Sequence, residues 1–450
     1  MKWLAVAALL AACGDNLAPS GSFELVGHAD LGARGMSSAL AVVGDTVYVG
    51  SRNDSQGVAI VDVSDPAHPM MVGEIGAPEE AQPTLSSREL RAVPDLNLLV
   101  VMNQSCTPAL DGCAAADEPG PENLSIYDIT ERDQPVLMSV VTDFEIPFHP
   151  LEMFLFRDPL MANRVLLYVT TPPGPPSFAV VDLSTPIDPD ILTTWDPVSD
   201  GGLDGGGGPD NLLRSVGASD DGRVGYFSHQ LAGLVLVDLT TVIDTPNEPA
   251  IEMITPPSQA LDWAPPGIGP HSAVQAPGRP LLVVTEEIYP MPFGDGCPWG
   301  HLRTVDITDP TRPTTVGEYQ LPEQDPSGCA SVPPLTAYTA HDATVTEDLA
   351  LVSWYAGGLE AIDISDPTHP FRLAEFRPDP LPQVTAEDPA LSGSPIEMWS
   401  YPVIQNGLIY VVDVRNGLYI LRYHGRWAEQ VQDRMFLEGN SNLGAFIDRG

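Results

Sequence analysis

From His341 to Phe376 short apolar runs, near 343–346, 349–354, 359–364 and 371–376, alternate with Glu-Asp, Ala-Gly-Gly and Ser-Asp-Pro-Thr-His-Pro. These are strand lengths separated by turn chemistries, so the stretch predicts a four-stranded antiparallel meander. Its third run recurs along the chain as Gly57–Asp62, Leu124–Asp128, Phe178–Asp182, Gly233–Asp238, Leu302–Asp306, Gly358–Asp363 and a degenerate Gly417–Arg422. Successive copies lie 54 to 68 residues apart, which is one four-stranded sheet plus loops. Repetition at this period marks a propeller or a solenoid.

A single such sheet leaves apolar faces uncovered, so the copies must stack, and radial closure removes exposed edges. The expectation is an all-β fold, a seven-bladed β-propeller of four-stranded antiparallel blades. The first six copies continue into a fourth strand such as Met70–Ile75 or Thr314–Tyr319, whereas the seventh passes from Tyr423 straight into His-Gly-Arg-Trp. The segment Phe23–Leu31, ahead of the first copy, has the pattern of that missing strand. The N-terminus is therefore expected to complete the last blade and close the ring.

The units Val-Ala-Ile-Val-Asp-Val-Ser-Asp-Pro-Ala-His-Pro (58–69) and Leu-Glu-Ala-Ile-Asp-Ile-Ser-Asp-Pro-Thr-His-Pro (359–370) resemble the LVIVD repeat of bacterial envelope and secreted propellers. The resemblance covers most of 23–423 and implies the fold; it carries over no catalytic residue. Copies three, four and seven depart from the motif after the core strand.

At the N-terminus Met1-Lys-Trp-Leu-Ala-Val-Ala-Ala-Leu-Leu-Ala-Ala-Cys13 has a basic start, a short apolar run and small residues before Cys. A span needs about 20 apolar residues, so this reads as a processed export signal. Its Leu-Ala-Ala-Cys ending resembles bacterial lipoproteins, which implies cleavage before Cys13 and lipid on its sulfur. The expected organisation is a signal peptide over 1–12, a lipidated Cys13 with a tether over 13–22, a propeller over 23–423, and a tail over 424–450 with a short helix around 426–436 docked on the rim. Export to the cell envelope follows, with an outer-membrane or surface location favoured by Gly14 after the Cys.

Composition agrees with a folded, exported chain: 43% of residues are hydrophobic, and 61 acidic against 20 basic residues give a net charge of −41. Such acidity argues against nucleic acid and anionic lipid as partners, since both need positive patches. The membrane is then met only through the lipid on Cys13, and the protein is expected to be a monomer. In an oxidising compartment the remaining cysteines predict disulfides Cys106–Cys113 and Cys297–Cys329, because their spacings match no zinc pattern.

The repeat also serves as a ruler. The Asp-Pro turns fall at one end of every blade and the long insertions at the other: 103–123, 171–177, 200–211, 256–270, 286–301, 322–339 and 377–395. Variable loops on a rigid scaffold are where function concentrates. At that end the inner strands bring Ser38, Glu89, His149, Arg214, His271, His341 and Ser400 to one level. His271 and His341, with Glu286 or Glu287, are the candidate ligands of a divalent metal; the alternative is structural polar packing. Trp195, Trp263, Trp299, Trp354, Tyr355 and Trp399, with Arg214, are the candidate surface for a protein or glycan, against the alternative that these rings cover strand ends. The Asp-rich, Gly-rich loop 200–211 fits no EF-hand spacing and reads as a flexible segment. No nucleophile elbow, phosphate loop, dinucleotide fingerprint or zincin motif occurs. The expected function is a lipid-anchored binding scaffold, with a metal-dependent enzyme at the channel mouth as the alternative.

Overall fold

A computed structural model of the chain describes residues 21–76, 84–113, 121–142, 149–161, 163–171, 174–205, 212–262 and 269–447. The signal, Cys13 and Trp263 lie outside them, as do 114–120, 172–173, 206–211 and 263–268 of the expected insertions.

The described residues form antiparallel sheets. After β1 (Ser22–Ala29), strands β2 (Ser37–Val43), β3 (Thr46–Ser51), β4 (Val58–Asp62) and β5 (Met70–Ile75) make one unit. It is joined through the Ser51↔Ser87 bridge to a second, β6 (Leu85–Val93), β7 (Leu98–Ser105), β8 (Asn123–Asp128) and β9 (Val136–Val141). Three separate sheets follow: β10 (Met153–Arg157), β11 (Val165–Thr170), β12 (Phe178–Asp182), β13 (Asp190–Trp195); then β14 (Leu213–Ala218), β15 (Val224–His229), β16 (Gly233–Asp238), β17 (Glu252–Met253); then β18 (Ser272–Gln275), β19 (Leu281–Thr285), β20 (Leu302–Asp306), β21 (Thr314–Tyr319). The next is β22 (Ala343–Val345), β23 (Leu349–Trp354), β24 (Gly358–Asp363) and β25 (Phe371–Phe376). The last contains β26 (Val403–Gln405), β27 (Leu408–Asp413), β28 (Gly417–His424) and β29 (Phe436–Glu438), in the order β1-β28-β27-β26-β29. In it β1 pairs with β28 from Ser22↔His424 to Ala29↔Leu418.

The recurring sequence has a local cause. Asp62, Asp128, Asp182, Asp238, Asp306 and Asp363 each end a third strand and accept, through Oδ1, the backbone N–H two residues on, at 2.7–2.9 Å. The side chain thus caps its own turn. Just before most of these residues the pairing shifts by one, at Ile60/Val61, Ile126/Tyr127, Val180/Val181, Thr304/Val305 and Ala361/Ile362. The repeated bulge turns the fourth strand at the same place. Gly233, Gly358 and Gly417 open third strands with φ of 90°, 84° and 92°, a conformation that side chains with a Cβ rarely adopt.

Sheets stack face to face, so their inner and middle strands are buried on both sides. Along β7, Val100 and Met102 join one apolar cluster while Leu99 and Val101 join another. β23 divides in the same way, Ala350 and Val352 from Leu349 and Leu351. This is period-two alternation with both faces covered, as in the interior of a stack. Outer strands face solvent, including Met70 and Val72 of β5 and Val136 and Leu137 of β9.

Helices among the described residues are single turns: α1 (Thr240–Asp244), α2 (Pro326–Cys329), α3 (Glu429–Gln432) and α4 (Gly444–Ile447). None is long and apolar enough to cross a membrane. The tail departs from the expected helix over 426–436: only α3 is helical there, and Phe436–Glu438 becomes β29 beside the inner strand β26. It continues past Thr344, whose Oγ1 accepts from Gly439 N at 3.1 Å, to Leu155, whose N donates to Asn440 O at 3.0 Å. Asn442 then donates to the carbonyls of Arg157 and Asp220. The tail therefore runs across the inner strands of several sheets, satisfying backbone groups that solvent does not reach.

Candidate functional site

His271 and His341 each stand just ahead of an inner strand, where their backbone N–H groups donate to Thr285 O and Ser353 O at 2.7 and 2.9 Å. Both side chains are buried, with ring centroids 4.3 Å apart. Glu287, beyond the end of β19, lies between them: its Oε1 is 3.4 Å from His341 Nε2 and its Oε2 3.5 Å from His271 Nε2. Glu152 Oε1 is 3.1 Å from His271 Nε2. Asp342 sits behind both rings, 3.0 Å from His341 Nδ1 and 3.8 Å from His271 Nδ1.

His341 Nδ1 is 2.7 Å from the carbonyl oxygen of Trp399. A carbonyl only accepts, so Nδ1 carries a proton, and the Nε2 edge of the ring faces the Glu287 carboxylate. Glu287 is held by the Arg214 guanidinium at 2.6 Å and by the Tyr355 hydroxyl. Burial alone raises a carboxyl, but Arg214, His341 and His271 hold Glu287 far below the ordinary range. Burial opposes charge on His341, yet Asp342 and Glu287 bring it up to about 9. On the far side of Glu152, burial raises Glu89 to about 8 despite Arg91 at 2.9 Å.

The structure brings together His271, His341, Glu287 and Arg214 from the sequence candidates and separates others. Glu286 is turned away, 3.3 Å from Arg303, because successive residues of an extended chain point to opposite sides. His149 is outside the cluster, half exposed and paired with Glu122 at 2.7 Å. The level assigned to it is taken by Glu152, three residues later and next to β10. Glu152 and Asp342 escaped the sequence reading; the one available signal for Asp342 was its place beside His341.

The aromatic residues are placed differently from an exposed surface. Trp195, Trp299, Trp354, Tyr355 and Trp399 are all at most 8% exposed. Trp195 packs edge-on against Phe227, and Trp354 donates through Nε1 to Tyr338 O at 3.0 Å. Trp399 lies between His341, stacked at 4.9 Å, and the Arg52 guanidinium at 5.9 Å. These rings close strand ends because loops from other repeats fold over them. His68 and His369 are solvated residues of the Asp-Pro turns.

Over the cluster, the insertions are tied to one another. Arg52, after β3, lies 2.7 Å from Asp388 and 3.4 Å from Asp111, all three buried. Arg88 joins them on Asp111. Disulfides Cys106–Cys113 and Cys297–Cys329 are both formed, with Cα separations of 6.0 and 5.8 Å. Beneath lies a cavity of about 50 Å³ lined by Arg88, Glu89, Gln104, Glu152, Arg214 and Trp399, among others. That volume suits water-sized occupants and not a substrate.

The model of the LVIVD repeat matches residues 34–76, 297–320 and 339–374. No curated protein matches the chain in sequence. Among solved structures, the C-terminal WD40 domain of Sif2 is similar with a TM-score of 0.51 at 8% identity, over 90% of this chain and 99% of that one. Sqt1 of Saccharomyces cerevisiae is similar with a TM-score of 0.52 at 10% identity, over 90% of this chain and 100% of its own. Those three segments thus match the LVIVD repeat, and the fold is all-β and propeller-like. At such identities the likeness extends to the fold alone.

Proposed function

We propose that this chain is a seven-bladed propeller over 23–423, anchored by lipid on Cys13 in a bacterial cell envelope, that binds a protein or glycan partner on its insertion-rich end. The sheet order supports the ring, with β1 as the outer strand of the last blade and Ser37 N donating to Val414 O at 2.8 Å where first and last blades meet. The export signal and lipobox pattern of 1–13 support the anchor.

The observation that carries the binding reading is the Arg52 hub. It links the loop after β3, the loop after β7 and the 377–402 segment into one platform, so the surface above is ordered before any partner arrives. Pre-ordered loops lose less entropy on binding. The enzyme alternative is less well supported, because the cavity beside Glu152 and Arg214 holds only about 50 Å³.

Cross-linking of the full chain in its envelope, followed by mass spectrometry, tests this. Met291 and Leu110 are 67% and 37% exposed on the insertion end, and Met70 is 61% exposed on an outer strand. Met291→Asp or Leu110→Asp should abolish enrichment of the principal partner, and Met70→Asp should leave it. The opposite pattern would refute the assignment of the face. Cys13→Ser should move the protein from the membrane to the soluble fraction; retention in the membrane would refute the lipid anchor.

A further inference from the structure

Both ring nitrogens of His271 lack a hydrogen-bond partner, although the residue is fully buried, and His341 Nε2 is also without one. Buried imidazole nitrogens are ordinarily satisfied, and each of these faces only a carboxylate, at 3.1, 3.8 and 3.4 Å, without hydrogen-bond geometry, an arrangement that a cation between them would complete. Two of them, His271 Nε2 and His341 Nε2, point into the space shared with Glu152 and Glu287.

The separations suit a common centre. Ligands at about 2.1 Å from a tetrahedral ion stand roughly 3.4 Å from one another; His271 Nε2 is 3.1 Å from Glu152 Oε1, and Glu287 meets His341 through Oε1 at 3.4 Å and His271 through Oε2 at 3.5 Å. The donor atoms of Glu152, His271 and His341 all lie within 4.8 Å of one another. A point within about 2.8 Å of all three therefore exists, and small side-chain rotations reach the ~2.0–2.2 Å of zinc bonds.

The surrounding groups orient the donors. His341 Nδ1–H is fixed by the Trp399 carbonyl, and Asp342 lies behind the Nδ1 atoms of both rings. A carboxylate or carbonyl behind a histidine is how protein metal sites set the tautomer and strengthen the ligand. Arg214 holds Glu287 Oε2, and the Tyr355 hydroxyl donates to Oε1, which faces His341.

We propose that His271, His341, Glu152 and Glu287 form a site for one divalent transition-metal ion of the zinc class, enclosed at the mouth of the propeller. Two imidazoles favour zinc, iron or nickel over magnesium and calcium, which prefer all-oxygen shells. The site stands on its own residues and does not depend on the binding-scaffold reading.

The test uses the full chain stripped with chelator and titrated with Zn²⁺, followed by calorimetry and elemental analysis. One Zn²⁺ per chain is expected, unaffected by Mg²⁺ and by His149→Ala, which removes an exposed imidazole. His271→Ala and His341→Ala should each weaken binding by at least about 100-fold, and Asp342→Asn by about 10–100-fold at unchanged stoichiometry. X-ray absorption of the zinc-loaded protein should show a nitrogen and oxygen shell without sulfur. Should the variants fail to fold, the wild-type melting temperature decides: Zn²⁺ should raise it and Mg²⁺ should not. Absence of bound zinc with an unchanged melting temperature would overturn the proposal, as would undiminished binding in folded His271→Ala or a sulfur-containing shell.

Discussion

The two ends of the sheets are built on opposite principles. At the Asp-Pro end each turn is capped by its own side chains: Asp306 holds Thr308 N and Asp309 holds Thr311 N within one exposed loop, and single hydroxyls such as that of Thr255 on Pro310 O join it to the neighbouring repeat. At the insertion end local turns are overlaid by long-range ties. Arg52 reaches Asp388, Arg214 reaches Glu287, and His341 reaches Trp399, joining different repeats through buried charges. The first end can be repeated indefinitely, whereas the second exists only once the repeats have assembled.

Removing the hub should have the largest effect. Arg52→Met leaves Asp388 and Asp111 buried without that cation, so unfolding by denaturant should show a loss of about 3–5 kcal/mol. A loss below about 1 kcal/mol would make the insertion end as modular as the other. The staple comes next. Replacing Cys297 and Cys329 by Ser opens a loop of 32 residues' separation and should cost roughly 3 kcal/mol in the same assay.

Charge gives the two ends opposite responses to pH. Glu360, near the insertion end of β24, is fully buried with neither carboxylate oxygen hydrogen-bonded, and burial raises it from 4.5 to about 8. It binds its proton more tightly when folded, so the stability it contributes below pH 4.5 is lost as pH rises through about 8. Glu360→Gln should therefore gain on the order of 2 kcal/mol over wild type at alkaline pH, and nothing at pH 4. Asp306 has the reverse sign: hydrogen bonds from Thr308 lower it, so its contribution is present above its ordinary pKa and lost as pH falls through the folded value. Asp306→Ala should cost only about 0.5 kcal/mol at pH 7, vanishing in acid, by thermal melts across pH.

The same division explains what could be read from the chain. Third strands ending in Asp, the Gly that opens several of them, and the strand-like pattern before the first repeat are local signals, and each has a local physical cause. The disulfides were legible because Cys106 and Cys113 share one insertion, and Cys297 and Cys329 lie in the two insertions that flank the outer strands of one repeat. The insertion end was legible only in part. His271 and His341 were placed by counting from regular strands, but the same count put His149 where Glu152 stands, since the loop before β10 has no pattern to fix its length. Past the end of β19 alternation does not say which of Glu286 and Glu287 faces inward. Whether Trp354 or Trp399 meets solvent depends on tertiary contacts, with Tyr338 and Tyr319 for the first and with Arg52 and His341 for the second, which no local pattern records.

Hydrogen exchange on the intact chain tests most directly whether the insertion end is assembled in advance. The account predicts that the amides of Asp111 and Ala386, bonded to Thr107 O and Arg34 O, exchange at least about 100-fold more slowly than those of His68 and His369 in the Asp-Pro turns. Arg52→Met should erase that difference in both loops together. Equal exchange at the two ends of the wild-type protein, or protection that survives Arg52→Met, would contradict it.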